Sequence, residues 1–141
     1  MPTPYEDVYE RFMGKIYDYS YLKISQEQLE SIILPYLKTS IVKFKKCRQN
    51  LKDRDDVTGV FNTDLTEEEQ EILSQLLLVE YLTPKLNHSD NLESVLSPSE
   101  YARFSQANKI KELRELRASA KSEANKLIMD YSWDRELDGL L

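Results

Sequence analysis

One long stretch of regularly spaced apolar residues, from Ser97 to Trp133, constrains the fold of this chain more than any other feature. Apolar side chains recur there at steps of three and four residues, the spacing that places them on one side of an α-helix. Lys, Arg and Glu fill most other positions, so the stripe is narrow. Its members are Ile110, Leu113, Leu116, Ala120, Ala124, Leu127, Ile128 and Tyr131. We therefore predict a long helix that buries little of itself and leaves surface for other subunits.

The length and composition indicate one helical domain. The chain has 141 residues, of which 40% are apolar and 31% charged. Only three residues are glycine, which disfavours a fold with many tight β-turns. We predict an all-α fold of about four helices, with the long helix last. The single helical domain should cover residues 1–131, followed by a C-terminal tail over residues 132–141.

Two helices are predicted in the first third of the chain. Thr3, Pro4 and Glu6 have the pattern of a capping box with proline at the first helical position. A second helix is expected to begin after Ser25, which has a glutamine three residues later, and to extend to about residue 51. Pro35 lies inside this pattern, where it removes one backbone hydrogen bond and should kink or split the helix.

A third helix should be the most buried element. Thr66 and Glu69 form a capping box at its start, and Thr83 and Pro84 should end or bend it, with a polar loop over residues 87–91. Nearly every side of it is apolar, at Ile72, Leu73, Leu76, Leu77, Leu78, Val79, Tyr81 and Leu82. The long fourth helix should then start at a cap over residues 97–100.

Two segments carry apolar residues that have no obvious place in a single-chain core. Residues 52–63 lose helical periodicity and are rich in Asp, Gly and Asn, which predicts a loop excursion with a short strand-like part. Its apolar tip is either packed on the domain or offered to a neighbour. The candidate interaction residues in the loop and the tail are Val57, Val60, Phe61, Trp133, Leu137, Leu140 and Leu141.

The sequence contains no catalytic, cofactor or metal-binding pattern. The single histidine, His88, lies in a polar stretch, so a histidine-based triad or metal site lacks its residues. Asp53, Asp55 and Asp56 loosely suggest calcium, but Val57 occupies a ligand position of the EF-hand order. We therefore predict that the chain is not an enzyme and holds no cofactor.

Cysteine and hydropathy patterns bear on the compartment. Cys47 is the one cysteine and cannot form an internal disulfide, so it is best interpreted as a half-buried small side chain. No apolar segment approaches the roughly 18 to 20 residues of a membrane span, and the first residues lack a signal-peptide pattern. We expect no membrane partner and synthesis in the cytoplasm.

Positive charge is concentrated between residues 38 and 54 of an otherwise acidic chain. This segment has seven cations and one anion, a local balance of +6, whereas the whole chain carries −6. It would suit nucleic acid or an acidic neighbour, although cations at a helix C-terminus are also stabilised by the helix dipole alone. The candidate interaction residues here are Lys43, Lys45, Lys46 and Arg48.

Three segments resemble small neck proteins encoded in the structural modules of tailed phages of Gram-positive hosts: Asn62 to Leu73, Glu80 to Pro84, and Ser105 to Leu116. The resemblance implies a head-tail connector subunit in the virion neck. It implies self-assembly into a ring, expected to be twelvefold, between portal and tail proteins, with a channel for non-specifically passing DNA. An assembly chaperone and a helical nucleic-acid-binding regulator are the alternatives.

Overall fold

Four helices and one small antiparallel sheet make up the described chain. The computed structural model describes residues 2–15, 26–95 and 106–140, of which 26, 85–95, 106–110 and 134–140 are described by their helical backbone alone. The helices are α1 (Tyr5–Met13), α2 (Gln26–Lys43), α3 (Glu67–Val95) and α4 (Gln106–Leu140). The strands are β1 (Thr3–Pro4), β2 (Arg54–Asp55) and β3 (Val60–Phe61). The mostly helical fold is confirmed, whereas the purely all-α class is wrong because of the sheet.

Helix α3 is the central element, as predicted. Its first turn is closed by the expected capping box: the Glu69 N–H donates to Thr66 Oγ1 at 3.1 Å, and the Thr66 N–H donates to Glu69 Oε1 at 2.9 Å. Every residue from 72 to 79 is buried. Helices α1, α2 and α4 all contact α3, which explains why an apolar residue is suited to nearly every side of it.

The long helix packs on α3 through small residues and one tyrosine. Ala120, Ala124 and Tyr131 are buried, and they fall at helical spacing on one side of α4. The two alanines allow the helices to approach closely, and the Gln75 side chain donates a hydrogen bond to the Ala120 carbonyl at 3.1 Å. Leu116 belongs to the predicted stripe but remains 44% exposed. The narrow buried stripe of α4 is therefore largely as predicted.

The sheet is built on a hairpin that a glycine closes. The Asp55 carboxylate accepts the N–H groups of Val57 and Thr58, and Gly59 adopts a left-handed φ of 69° that favours glycine. Strand β3 lies between β1 and β2, with Thr3 opposite Phe61. The strand-like excursion predicted in this loop is thus confirmed, with a third strand from the start of the chain.

Thr3 has a different role from the predicted one. Helix α1 begins at Tyr5 with Pro4 as its N-cap and without a side-chain cap hydrogen bond. The Thr3 hydroxyl instead donates to the Thr63 carbonyl at 3.0 Å and accepts the Leu65 N–H at 2.9 Å. The predicted capping box is therefore wrong, because the hydroxyl is used to join β1 to the chain before α3.

Helix α2 is shorter than predicted. It ends at Lys43 instead of near residue 51, and it continues through Pro35, so of the two expected effects of this proline, a kink or a split, the split does not occur. After its end, buried Phe44 and Leu51 hold the chain on the core. The Arg48 N–H is bound by the Tyr131 hydroxyl, 83 residues away in sequence. Burial and this distant hydrogen bond stop the helix earlier than its local pattern suggests.

Two other helices are longer than predicted. Helix α3 continues through Pro84 to Val95, and the polar residues 87–91 are helical instead of a loop. Pro84 is exposed, and it removes one backbone hydrogen bond from the helix without ending it. Helix α4 continues to Leu140, through residues for which the sequence predicted a tail. The predicted cap at residues 97–100 lies outside the described residues.

Candidate interaction surface

Three of the cations in the basic segment are neutralised within the chain. Lys43 forms an ion pair with Glu80. Lys38 and Arg54 both pair with Asp56, at 3.6 and 3.1 Å. The segment is therefore less positive in the folded protein than its sequence implies.

Lys45, Lys46 and Lys52 are the lysines beyond the end of α2, and all three are exposed. Lys45 and Lys46 lie in one turn and Lys52 in the next, and within the described ranges none of the three forms an ion pair. The helix that was expected to carry the first two lysines and Arg48 ends at Lys43. The basic residues consequently lie on a turn instead of on one helical face.

Arg48 is attached to the long helix. Its guanidinium carbon lies 4.9 Å from the centroid of the Tyr131 ring, close enough for a cation–π contact. Its backbone N–H donates to the Tyr131 hydroxyl at 2.8 Å, and the Tyr131 ring also packs edge-on against Phe44. Arg48 therefore has a structural role in fixing α4 to the turn after α2.

A buried carboxylate completes this attachment. Glu69 is 1% exposed and accepts the Tyr131 hydroxyl at 2.7 Å through Oε2. The same oxygen lies 3.4 Å from the Cys47 sulfur. Burial and the neighbouring Glu69 carboxylate raise the pKa of the Cys47 thiol to about 12. The thiol is protonated at neutral pH and serves as a weak hydrogen-bond donor, as a half-buried small side chain would.

The hairpin presents one of its three candidate residues. Val57, at the tip, is 95% exposed. Val60 is half-buried, and Phe61 is fully buried with its ring centroid 4.7 Å from that of Tyr5. Phe61 was a candidate interaction residue, but its side chain is covered by β1 and α1 and packs on the domain, which is one of the two alternatives left open by the sequence.

The aspartates of the loop are engaged in organising the hairpin. Asp53 accepts a hydrogen bond from the Asn62 side chain at 3.0 Å. Asp55 accepts backbone N–H groups of the turn, while Asp56 is bound by Tyr5, Arg54 and Lys38. Over the described side chains, no group of three or more His, Cys, Asp or Glu residues is arranged to hold a metal ion.

The outer side of α4 exposes two large apolar residues one turn apart. Met129 is 69% and Trp133 61% exposed, and both lie about 160–200° around the helix from the buried stripe. Leu137 and Leu140 follow Trp133 in the helical backbone, and Leu141 lies outside the described residues. Sequence analysis missed Met129, although its position four residues before Trp133 was the available signal.

Searches against models of known protein families, curated proteins and solved structures find no significant match to the chain. In the part of the chain that the structure describes, no helix is both long and apolar enough to cross a membrane.

Proposed function

We propose that this protein is a structural subunit of a phage virion neck, where copies form a ring between portal and tail proteins around a channel that DNA traverses. The sequence resemblance to neck proteins supports the connector role. The observation that carries the proposal is the outer face of α4, where Met129 and Trp133 are exposed among the described side chains. A helix of 35 residues is about 52 Å long, well beyond the roughly 30 Å diameter of a small domain.

The proposed ring would be stabilised by a weak contact that is repeated at every boundary between subunits. Exposed Met129 and Trp133 are the kind of apolar side chains that a neighbouring subunit buries. In a closed ring each subunit makes the same contact twice, once with each neighbour, and closure makes the contacts mutually reinforcing. A connector subunit therefore needs exposed contact surfaces and a rigid fold, and it needs no catalytic site.

The direct test is the composition of purified particles. Virions of the encoding phage, analysed by mass spectrometry and electron microscopy, should contain this chain in multiple copies as a ring at the head-tail junction. An assembly chaperone would be present in the infected cell and absent from mature virions, so that result would replace the connector by the chaperone.

A variant pair tests the α4 surface itself. Trp133→Glu places a charge in the apolar pair and should reduce ring assembly at least about tenfold. Ser122→Glu adds the same charge on the exposed outer side of α4, about 16 Å along the helix from Trp133, and should assemble normally. Equal assembly by both variants, measured by light scattering, would show that this face is not an interface.

The regulator alternative is less well supported. It would need several basic residues on a helix that enters the major groove. Lys45, Lys46 and Arg48 all lie beyond the end of α2, and Arg48 is packed on Tyr131.

A further inference from the structure

The exposed side of α2 carries a row of uncharged residues, which we call the α2 face. Its members are Ile32, Pro35, Thr39 and Val42, all exposed, and steps of three, four and three residues keep them on one side of the helix. Ile32 is 45% and Val42 68% exposed. The Thr39 hydroxyl donates to the Pro35 carbonyl at 3.2 Å, so covering the face would leave this hydroxyl satisfied.

The two lysines that border the α2 face are neutralised within the chain. Lys38 pairs with Asp56 at 3.6 Å, and Lys43 pairs with Glu80. A partner that covered the face would therefore bury apolar side chains without leaving either ammonium group unpaired. In a chain of which 31% of the residues are charged, an exposed helix face of this kind is suited to a protein contact.

The α2 face is complementary to itself when two copies lie antiparallel. Ile32 and Val42 are each five residues from position 37, on opposite sides of it, and Pro35 and Thr39 are each two residues from it. A two-fold axis at the level of position 37 therefore places Ile32 of each copy opposite Val42 of the other. The two large apolar side chains that α2 exposes then cover each other twice in one contact.

The charges at the two ends of α2 favour the same orientation. Glu27 is exposed in its first turn, and exposed Lys45 and Lys46 lie in the turn that follows its last residue. In the antiparallel arrangement Glu27 of each copy lies level with position 47 of the other, beside these lysines, and the helix dipoles oppose each other. A parallel pair would bring like charges together, which weakens association.

We infer that two free copies of this chain form a two-fold dimer through the α2 face, with their α2 helices antiparallel. Helix α2 has 18 residues and is about 27 Å long. One pair of helices of this length buries less surface than a standard interface, so the dimer is weak and depends on concentration. The inference goes beyond the proposed ring and does not rest on it, because the ring contact uses the outer face of α4.

A matched pair of variants tests the dimer by analytical ultracentrifugation over a range of concentrations. Val42→Glu buries a charge in the contact and should raise the Kd of the dimer at least about tenfold. Met129→Glu adds the same charge on α4 at a position that is 69% exposed, against 68% for Val42, and should dimerise like the parent. Circular dichroism establishes that both variants are folded. Equal Kd values for the two variants, or a parent that stays monomeric at every concentration, would overturn the inference.

Disulfide crosslinking tests the register and the orientation. In a Cys47→Ser background, Ile32→Cys and Val42→Cys variants are oxidised separately and as a mixture. The mixture should form a linked heterodimer, because facing residues of packed helices come within the roughly 4.4–6.8 Å between Cα atoms that a disulfide requires. Either variant alone should remain unlinked, since the two copies of one residue then lie about 15 Å apart along the helix axis. Linkage of Ile32→Cys to itself, or no linkage in the mixture, would overturn the antiparallel dimer.

Failure of the dimer is distinguishable from failure of the connector function. If the chain forms a ring in virions but the free protein is monomeric, the function stands and the dimer is wrong. If the mixed crosslink forms but virions lack the chain, the dimer stands and the connector is wrong. A monomeric free protein whose Val42→Glu variant fails to enter virions would assign the α2 face to a neighbouring virion protein, and would overturn the dimer.

Discussion

Tyr131 is fixed by both its ring and its hydroxyl group. The ring packs between Phe44 and the Arg48 guanidinium, and the hydroxyl donates to Glu69 while it accepts the Arg48 N–H. One side chain therefore connects α4, α3 and the turn after α2. The polar part of this contact is separable from the apolar part by removing a single oxygen.

Tyr131→Phe should destabilise the protein by about 1–3 kcal/mol, because the buried Glu69 carboxylate and the Arg48 N–H each lose a hydrogen-bond partner. Urea unfolding measures the change. Tyr36→Phe is the matched control, since the Tyr36 hydroxyl has no hydrogen bond to a described residue. If both substitutions cost the same, the hydroxyl of Tyr131 does not stabilise the attachment of α4.

Asp56 makes the hairpin sensitive to acid. The hydrogen bond from Tyr5, followed by the charges of Arg54 and Lys38, holds the pKa of the Asp56 carboxyl below its ordinary value of 3.8. A carboxyl whose pKa is lower in the folded state stabilises the fold above its unfolded pKa, and loses this contribution as pH falls through the folded value.

Stability should therefore decline below about pH 4, and Asp56→Asn should make that decline shallower. Unfolding titrations at several pH values measure the slope. Asp130→Asn, which removes an exposed carboxylate on α4, should leave the slope near that of the parent. An unchanged slope in Asp56→Asn would mean that other carboxylates, such as Glu71 with Lys15 and Arg11, dominate acid sensitivity.

Helix α3 lies at the centre of the core, and α4 packs on it along a narrow row of buried residues. Leu77, on α3, is fully buried, and Leu116, on α4, is 44% exposed. The same substitution at the two positions compares a central helix with a helix that is only partly packed.

Leu77→Ala should cost about 2–5 kcal/mol through lost burial and the cavity left behind. Leu116→Ala should change stability by only about 0.5 kcal/mol, as is usual for surface positions. Chemical denaturation measures both values. A small effect at Leu77 would show that α3 is not the centre of the core.

Local signals predicted the elements better than their ends. The Thr66–Glu69 cap and the apolar run of α3 are contained within a few residues, and both are confirmed. The end of α2 depends on Tyr131, which lies far along the chain, so no local pattern shows it. The burial of Phe61 also depends on a distant segment, because β1 comes from the start of the chain. The proposed connector role stays a prediction from resemblance.

The net negative charge of the whole molecule opposes DNA binding at the turn that carries Lys45 and Lys46. The chain carries −6, which repels a duplex at long range, while Lys45 and Lys46 attract phosphate locally. A turn with two flexible cations contacts phosphates without distinguishing bases.

DNA binding by the dissociated protein should therefore be weak, independent of sequence and steeply reduced by salt. Competition between unrelated duplexes at two salt concentrations measures both properties. Lys45→Gln/Lys46→Gln should lower the salt slope by about 2, and Lys121→Gln/Lys126→Gln should leave it unchanged. A thousandfold preference for one sequence would favour a regulator over a connector.

The pairing of β1 with β3 sets an order of events in folding. Thr3 bonds to a carbonyl 60 residues away in sequence, so closing this sheet costs the entropy of a long loop and should follow the packing of the helices. Contacts that form after the rate-limiting step govern how fast a protein unfolds. We therefore expect Thr3→Val to accelerate unfolding in stopped-flow experiments and to leave the refolding rate nearly unchanged. This small sheet would then determine how long the subunit stays folded.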